Sequence, residues 1–175
     1  MFSPLQVISC YSLLQSPLKI SDLVKKASEM GYQALAITDI NVMYGVLDFY
    51  KACRKYHIKP LLGLTLQLND TRQKQTANDV ILLAKNNQGY HNLMKLSSLK
   101  MTKDPDDPNG DRLLLTEIAP LLHELFVITP TKNSLVLEAL HSHNFTGAKT
   151  ELTKIKEICD PNSLFLGVSM HMEDQ

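Results

Sequence analysis

The stretch ISDLVKKASEMGYQALAIT, residues 20–38, decides the fold class. Ile20, Leu23, Val24 and Ala27 recur at i, i+3, i+4 and i+7, which lays one apolar stripe along a helix from about Ile20 to Met30. Gly31 stands where such a helix needs a left-handed residue to close its last turn. Ala34 to Thr38 is then a near-continuous apolar run, the pattern of a strand buried on both faces of a parallel sheet.

Outward from this unit the alternation continues. Upstream, Leu5–Ile8 is expected as a first strand. Downstream, a helix is expected from about Val46 to Tyr56, and Pro60 introduces a strand from Leu61 to Leu68. Asn69 to Asn78 is polar and reads as a loop, followed by a strand at Val80–Ala84 and a helix at about Gly89–Met101. Lys103–Asp111 holds Pro105, Pro108, Gly110 and four aspartates, the composition of a mobile loop. Thr116–Glu124 is expected as a short helix capped by Thr116, and Leu125–Thr129 as a fifth strand. Helices at Ser134–His141 and Thr146–Ile158 then lead to a sixth strand, Leu164–Val168. This alternation means βα units on a parallel sheet with right-handed crossovers, either open or closed into a barrel.

The bulk composition narrows the class. A length of 175 residues suits one domain with its own core. Hydrophobic residues at 44% and charged residues at 21% are those of a folded globular chain. Lys+Arg and Asp+Glu number 18 each, so no global field draws the chain to nucleic acid or membrane. Cys10, Cys53 and Cys159 are odd in number and widely spaced, as free thiols of a reducing compartment are. No signal-like leader opens the sequence, and no run approaches the ~20 apolar residues of a membrane helix. The expected location is cytoplasmic, with no membrane partner.

Three blocks carry a resemblance. The first is Tyr11-Ser12-Leu13-Leu14 after a short strand. The second is Ala36-Ile37-Thr38-Asp39, then Met43-Tyr44-Gly45 leading through Val46–Cys53 to Ile58-Lys59-Pro60-Leu61-Leu62-Gly63. The third is Leu82-Leu83-Ala84-Lys85-Asn86, with Gly89-Tyr90 and Asn92–Leu96 behind it. In order and spacing they resemble the PHP domain that opens the bacterial DNA polymerase III alpha subunit. The resemblance covers residues 5–100 strongly and the remainder weakly. Each block alone is an ordinary strand end or turn; their joint order carries the identification.

The resemblance implies an α/β fold, an incomplete TIM-like (βα) barrel of the PHP type with about six strands, mostly parallel. It implies a single domain over residues 1–175, an N-terminal fragment of a longer polymerase chain, because the family's barrel has seven strands. The parent would be a DNA-directed DNA polymerase, a nucleotidyltransferase acting in DNA replication, with magnesium as its cofactor. The implied partners are the rest of the polymerase chain, other replisome proteins, and DNA through the parent.

Active PHP domains are similar to metal-dependent phosphoesterases, holding cations on His, Asp and Glu at strand ends. A bound divalent cation turns water into a nucleophile at neutral pH and neutralises phosphate oxygens. Here the pattern fails residue by residue. The paired histidines of the first strand fall on Gln6 and Ile8, the Asp-His after the second on Asp39 and Ile40, and the glutamate of the third on Thr65. The histidine opening the fourth falls on Asp79, and the cysteine after the fifth near Thr131. Isoleucine cannot coordinate a cation, and the two remaining carboxylates make at most a weak hard-cation site. The expectation is therefore no catalytic residue, no metal site and no cofactor in this domain; the domain itself would be structural. The alternative is an active metal-dependent phosphoesterase or proofreading nuclease.

Two features look functional on their own. His141 and His143 form a His-x-His, but at a helix end, where the dipole alone favours imidazolium. Lys51, Arg54 and Lys55 share one helix face beside Lys59, a pattern that suits a nucleic-acid backbone. With zero net charge the expectation for that face is simple solvation.

Overall fold

The apolar stripe begins the fold as the periodicity requires. In the computed structural model, which describes residues 2–70, 73–104 and 112–168, helix α1 spans Ile20–Glu29 and buries Ile20, Val24 and Ala27. Gly31 takes φ +76°, and Tyr32 N–H reaches back to the Ala27 carbonyl at 3.0 Å, closing the helix. Strand β1, Ala34–Ile37, follows, then α2, Val46–Lys55, with Val46, Phe49 and Cys53 inward. His57 closes α2 as Gly31 closes α1, with φ 56° and the Ile58 N–H bonded to the Cys53 carbonyl. Strand β2, Lys59–Asp70, lies parallel to β1, with Ala34 opposite Lys59 and Ile37 opposite Leu62.

The polar stretch Asn69–Asn78 is not a loop. Strand β2 continues to Asp70 and β3 runs Gln73–Ala84, pairing antiparallel from Gly63↔Leu83 through Gln67↔Asp79 to Asp70↔Gln73. The eleven residues between Leu68 and Val80 carry no helical stripe, and a parallel crossover needs a dozen or more. The chain therefore turns back on itself, and the arms satisfy each other's backbone groups whatever their side chains.

Helix α3, Asn87–Met101, is capped by Asn86, whose side chain accepts from Gly89 N–H. The short helix α4 spans Leu115–Ile118 and passes into a 3-10 turn at Ala119–Leu121. Its cap is Leu114 and not Thr116, which lies inside the helix. Glu117 draws the end back by two residues because its carboxylate accepts the Leu114 N–H at 2.6 Å. Strand β4, Leu125–Thr129, is antiparallel to β3; helices α5, Leu135–His141, and α6, Phe145–Ile158, form a hairpin; and β5, Leu164–Leu166, closes the order parallel to β4. The loop expected to be mobile, Lys103–Asp111, lies, beyond residue 104, outside the described residues.

The sheet order is β1-β2-β3-β4-β5, and every strand but β3 points the same way. Among the described residues five strands stand where about six were expected. Leu5–Ile8 runs beside β1 without entering the ladder: Ala36 N–H bonds to the Pro4 carbonyl and Thr38 N–H to Val7, a step of three against two. Val7 N–H is taken by the Thr38 hydroxyl at 3.1 Å and not by a strand neighbour. Helices cover one face. Leu64, Leu66, Val80 and Leu82 pack with Leu93 and Leu96 of α3, and Leu35 and Ile37 pack with α1 and α2. The other face gathers Ala36, Ile81, Leu83 and Ile128 above an apolar cleft of about 1020 Å³.

Candidate functional site

Asp39, Ile40, Thr65 and Asp79, four of the positions where the resemblance expected a ligand, are linked at one end of this sheet through paired strands and Gln67. Asp39 follows β1, buried, with its carboxylate fully engaged. Oδ1 accepts from Ser9 N–H at 2.6 Å and from the Ser12 hydroxyl at 2.7 Å, and Oδ2 accepts from the Ser9 hydroxyl at 2.7 Å. Ser12 Oγ in turn accepts the Ile40 N–H at 3.0 Å. These bonds tie the segment after residue 8 to the end of β1. A carboxylate so engaged has its lone pairs directed at protein donors.

Thr65 is buried beside it and equally spent: its hydroxyl donates to the Thr38 carbonyl at 2.8 Å, and its N–H to the Asp39 carbonyl at 3.0 Å. Ile40 bridges Thr65 across the strands, so an apolar side chain stands where the family pattern has an imidazole. Gln6 is exposed and Ile8 half-buried, on the irregular segment beside β1. Thr131 lines the apolar cleft.

Asp79, on β3 opposite Gln67, is held differently. Its N–H donates to the Asn133 carbonyl at 2.7 Å, and Oδ2 accepts from the Asn133 side chain at 3.1 Å. Oδ1 is buried and has no hydrogen-bond partner. Burial pushes the Asp79 carboxyl above its ordinary range, against the opposing pull of Asn133, Arg112 and Gln67. Asn41 continues the polar row, exchanging hydrogen bonds of 3.0 Å with Gln67 through both side-chain atoms. Chemically the end is a cluster of amides and hydroxyls with one committed and one half-satisfied carboxylate. Among the described residues no three His, Cys, Asp or Glu side chains come together as a metal would need.

His141 ends α5, and His143 takes φ 52° with its N–H on the Leu140 carbonyl, as residues terminating a helix do. Ser9 and Ser12 carry a role the sequence alone did not assign: they supply the donors that occupy Asp39. The signal was present, because a buried aspartate after a strand needs donors, and two serines stand in the segment that passes it. A second unforeseen cluster lies at the opposite end of the sheet. Asp160 accepts from Lys85 Nζ at 3.0 Å and from Glu124 N–H at 2.8 Å, and pairs with His123 Nδ1 at 2.8 Å. These bonds, that of Glu124 N–H foremost, hold its carboxyl down at about 2.

The PHP domain family model matches residues 4–171. The chain belongs to the PHP domain family. Its PHP fold is similar to that of an amidohydrolase from Chromobacterium violaceum, solved with bound sulfate and no metal. The TM-score is 0.54 at 9% identity, over 94% of this chain and 84% of that one. In sequence this PHP domain is 46% identical over 102 residues to the DNA polymerase III subunit alpha of Bacillus subtilis, covering 58% of this chain and 9% of that protein. It is 28% identical over 164 residues to the same subunit of Halalkalibacterium halodurans, covering 94% of this chain and 14% of that protein. The chain thus spans about a tenth of the length of these relatives and is homologous to their N-terminal region. No described helix is long and apolar enough to cross a membrane.

Proposed function

We propose that this PHP domain, residues 1–175 as one unit, is the N-terminal part of a DNA polymerase III alpha subunit acting in DNA replication, and that the domain itself is structural. The parent chain would be the nucleotidyltransferase, with magnesium at carboxylates outside this segment and DNA bound through the parent. The partners would be the rest of that chain and other replisome proteins, in the cytoplasm. The homology to alpha subunits supports the parentage. The observation that carries the structural reading is the Asp39 carboxylate: three donors from Ser9 and Ser12 occupy it.

A catalytic zinc site needs about three protein ligands and an open position. Gln6, Ile8, Ile40 and Thr65 supply none that fits, and Asp79 alone of the other positions is anionic. Restoring a single ligand should recover nothing, because the rest of the shell and its orienting partners remain missing. The test is elemental analysis together with a phosphoesterase assay in zinc, manganese and magnesium. We expect no stoichiometric metal and no turnover. Bound metal with turnover abolished by Asp39→Ala would overturn the reading in favour of an active phosphoesterase.

A further inference from the structure

We propose that the outward face of α2, with the start of β2, binds single-stranded nucleic acid: Lys51, Arg54, Lys55 and Lys59 contact the phosphodiester backbone, and Tyr50 stacks on a base. This rests on charge and exposure alone and is independent of the polymerase reading. The chain is neutral overall, yet residues 19–59 carry seven Lys and Arg against four Asp and Glu, one of them the buried Asp39. The charge balance of the whole molecule therefore hides a basic layer.

Within that layer the four cations of α2 and the start of β2 are exposed and lack carboxylate partners among the described residues. Lys51, Arg54, Lys55 and Lys59 are all exposed, and none forms an ion pair among the described residues. The ion pair of this layer joins Lys26 to Glu29 on α1. The one carboxylate of α2, Asp48, stands three residues before Lys51 on the same face, forms no ion pair with it among the described residues, and faces the Tyr11 hydroxyl at 3.5 Å. Lys55 Nζ sits 5.5 Å from the Tyr56 ring centre, which orients it without neutralising it.

The helix dipole explains part of this pattern and not all of it. Cations in a last turn complement the carbonyl end of a helix, which accounts for Arg54 and Lys55. Lys51 sits mid-helix and Lys59 opens β2, opposite Ala34, so neither is explained that way. Lys51 and Lys55 lie one turn apart on α2, and Lys59 follows the turn at His57 that leads into β2, so the cations are spread along the surface and not gathered at one point.

Beside these cations stands an aromatic face. Tyr50 is 45% exposed and lies one turn from Arg54 on the same side of α2. A spread of unpaired cations beside an accessible ring is the arrangement that tracks a phosphate backbone while a base stacks. A duplex already stacks its bases internally, so the tyrosine favours a single strand.

The test is fluorescence anisotropy of a labelled oligothymidylate with the 175-residue chain across a salt series. We expect binding that weakens with salt. Lys51→Glu/Arg54→Glu/Lys55→Glu should lower affinity at least tenfold and flatten the logarithmic salt slope by about 0.7 for each phosphate no longer neutralised. Tyr50→Ala should lower affinity at least about fivefold for the single strand and leave a hairpin duplex unaffected. Circular-dichroism melts of both variants would show that they fold. Wild-type affinity in the folded charge-reversal variant would overturn the proposal. So would a polyglutamate peptide that binds more tightly than the oligonucleotide, which would mark a surface for an acidic protein.

Discussion

Asp39 and Asp79 occupy the same end of the sheet and do opposite things. Asp39 accepts three hydrogen bonds, and removing it leaves two serine O–H groups and one buried N–H without an acceptor. Each unsatisfied buried donor costs about 1–3 kcal/mol, partly relieved by relaxation. We expect Asp39→Ala to lower unfolding stability by about 2–4 kcal/mol in urea titration. Proteolysis within residues 10–18 should quicken as that segment loses its tie to β1. Asp79 is a carboxylate whose folded form resists ionisation, with one oxygen unbonded. For an acid whose folded value is raised, the burial penalty is absent below the ordinary carboxylate range and complete above the raised value. Its contribution to stability therefore improves as pH falls from neutral. Asp79→Asn should stabilise the fold by about 1 kcal/mol at pH 7 and lose that advantage toward pH 3, measured by urea unfolding at both pH values. A variant less stable than wild type at pH 7 would show that the charge is needed. Asp160 works in the other sense: its stabilising bonds hold above the ordinary carboxylate range and are lost as pH falls toward about 2.

At the scale of elements, the β2–β3 hairpin replaces a βα unit and turns one strand against the rest. Gly63 makes its approach to β3 and β1 possible. A β-carbon there would lie 2.5 Å from the Leu82 carbonyl oxygen and 2.9 Å from Thr38 Cγ2. The carbonyl belongs to a paired strand and cannot swing aside. Gly63→Ala should cost about 1–3 kcal/mol, read as a lower urea midpoint with an unchanged slope. An unchanged midpoint would mean that the hairpin shifts freely against β1. The sequence offered Gly31 as a helix stop, and the chain uses it. It offered no glycine after α2, and His57 adopts the left-handed conformation instead. That substitution is not readable from composition, because histidine there is tolerated only when the Cys53–Ile58 bond and the β1–β2 pairing hold the turn.

At the scale of the molecule, the helices cover one face of the sheet and leave the other apolar. Phe2, Leu5, Phe165, Leu166 and Val168 are exposed around the cleft, and β5 forms a sheet edge among the described residues. Open edges and contiguous apolar faces pair with whatever meets them. We expect the 175-residue chain to self-associate with rising concentration in sedimentation velocity; a clean monomer with a sharp cooperative melt would contradict this. The helix stripes, the buried runs at Ala34, Val80 and Leu125 and the family pattern were legible in the sequence, because burial writes its period directly into neighbouring residues. So were the side chains at Gln6, Ile8, Ile40 and Thr65, the positions where the resemblance expects metal ligands. The antiparallel course of β3, the exclusion of Leu5–Ile8 from the ladder and the serines around Asp39 were not legible. Each depends on which backbone donor meets which acceptor between segments far apart in the chain or on where a turn has room, and only the closed tertiary structure decides that.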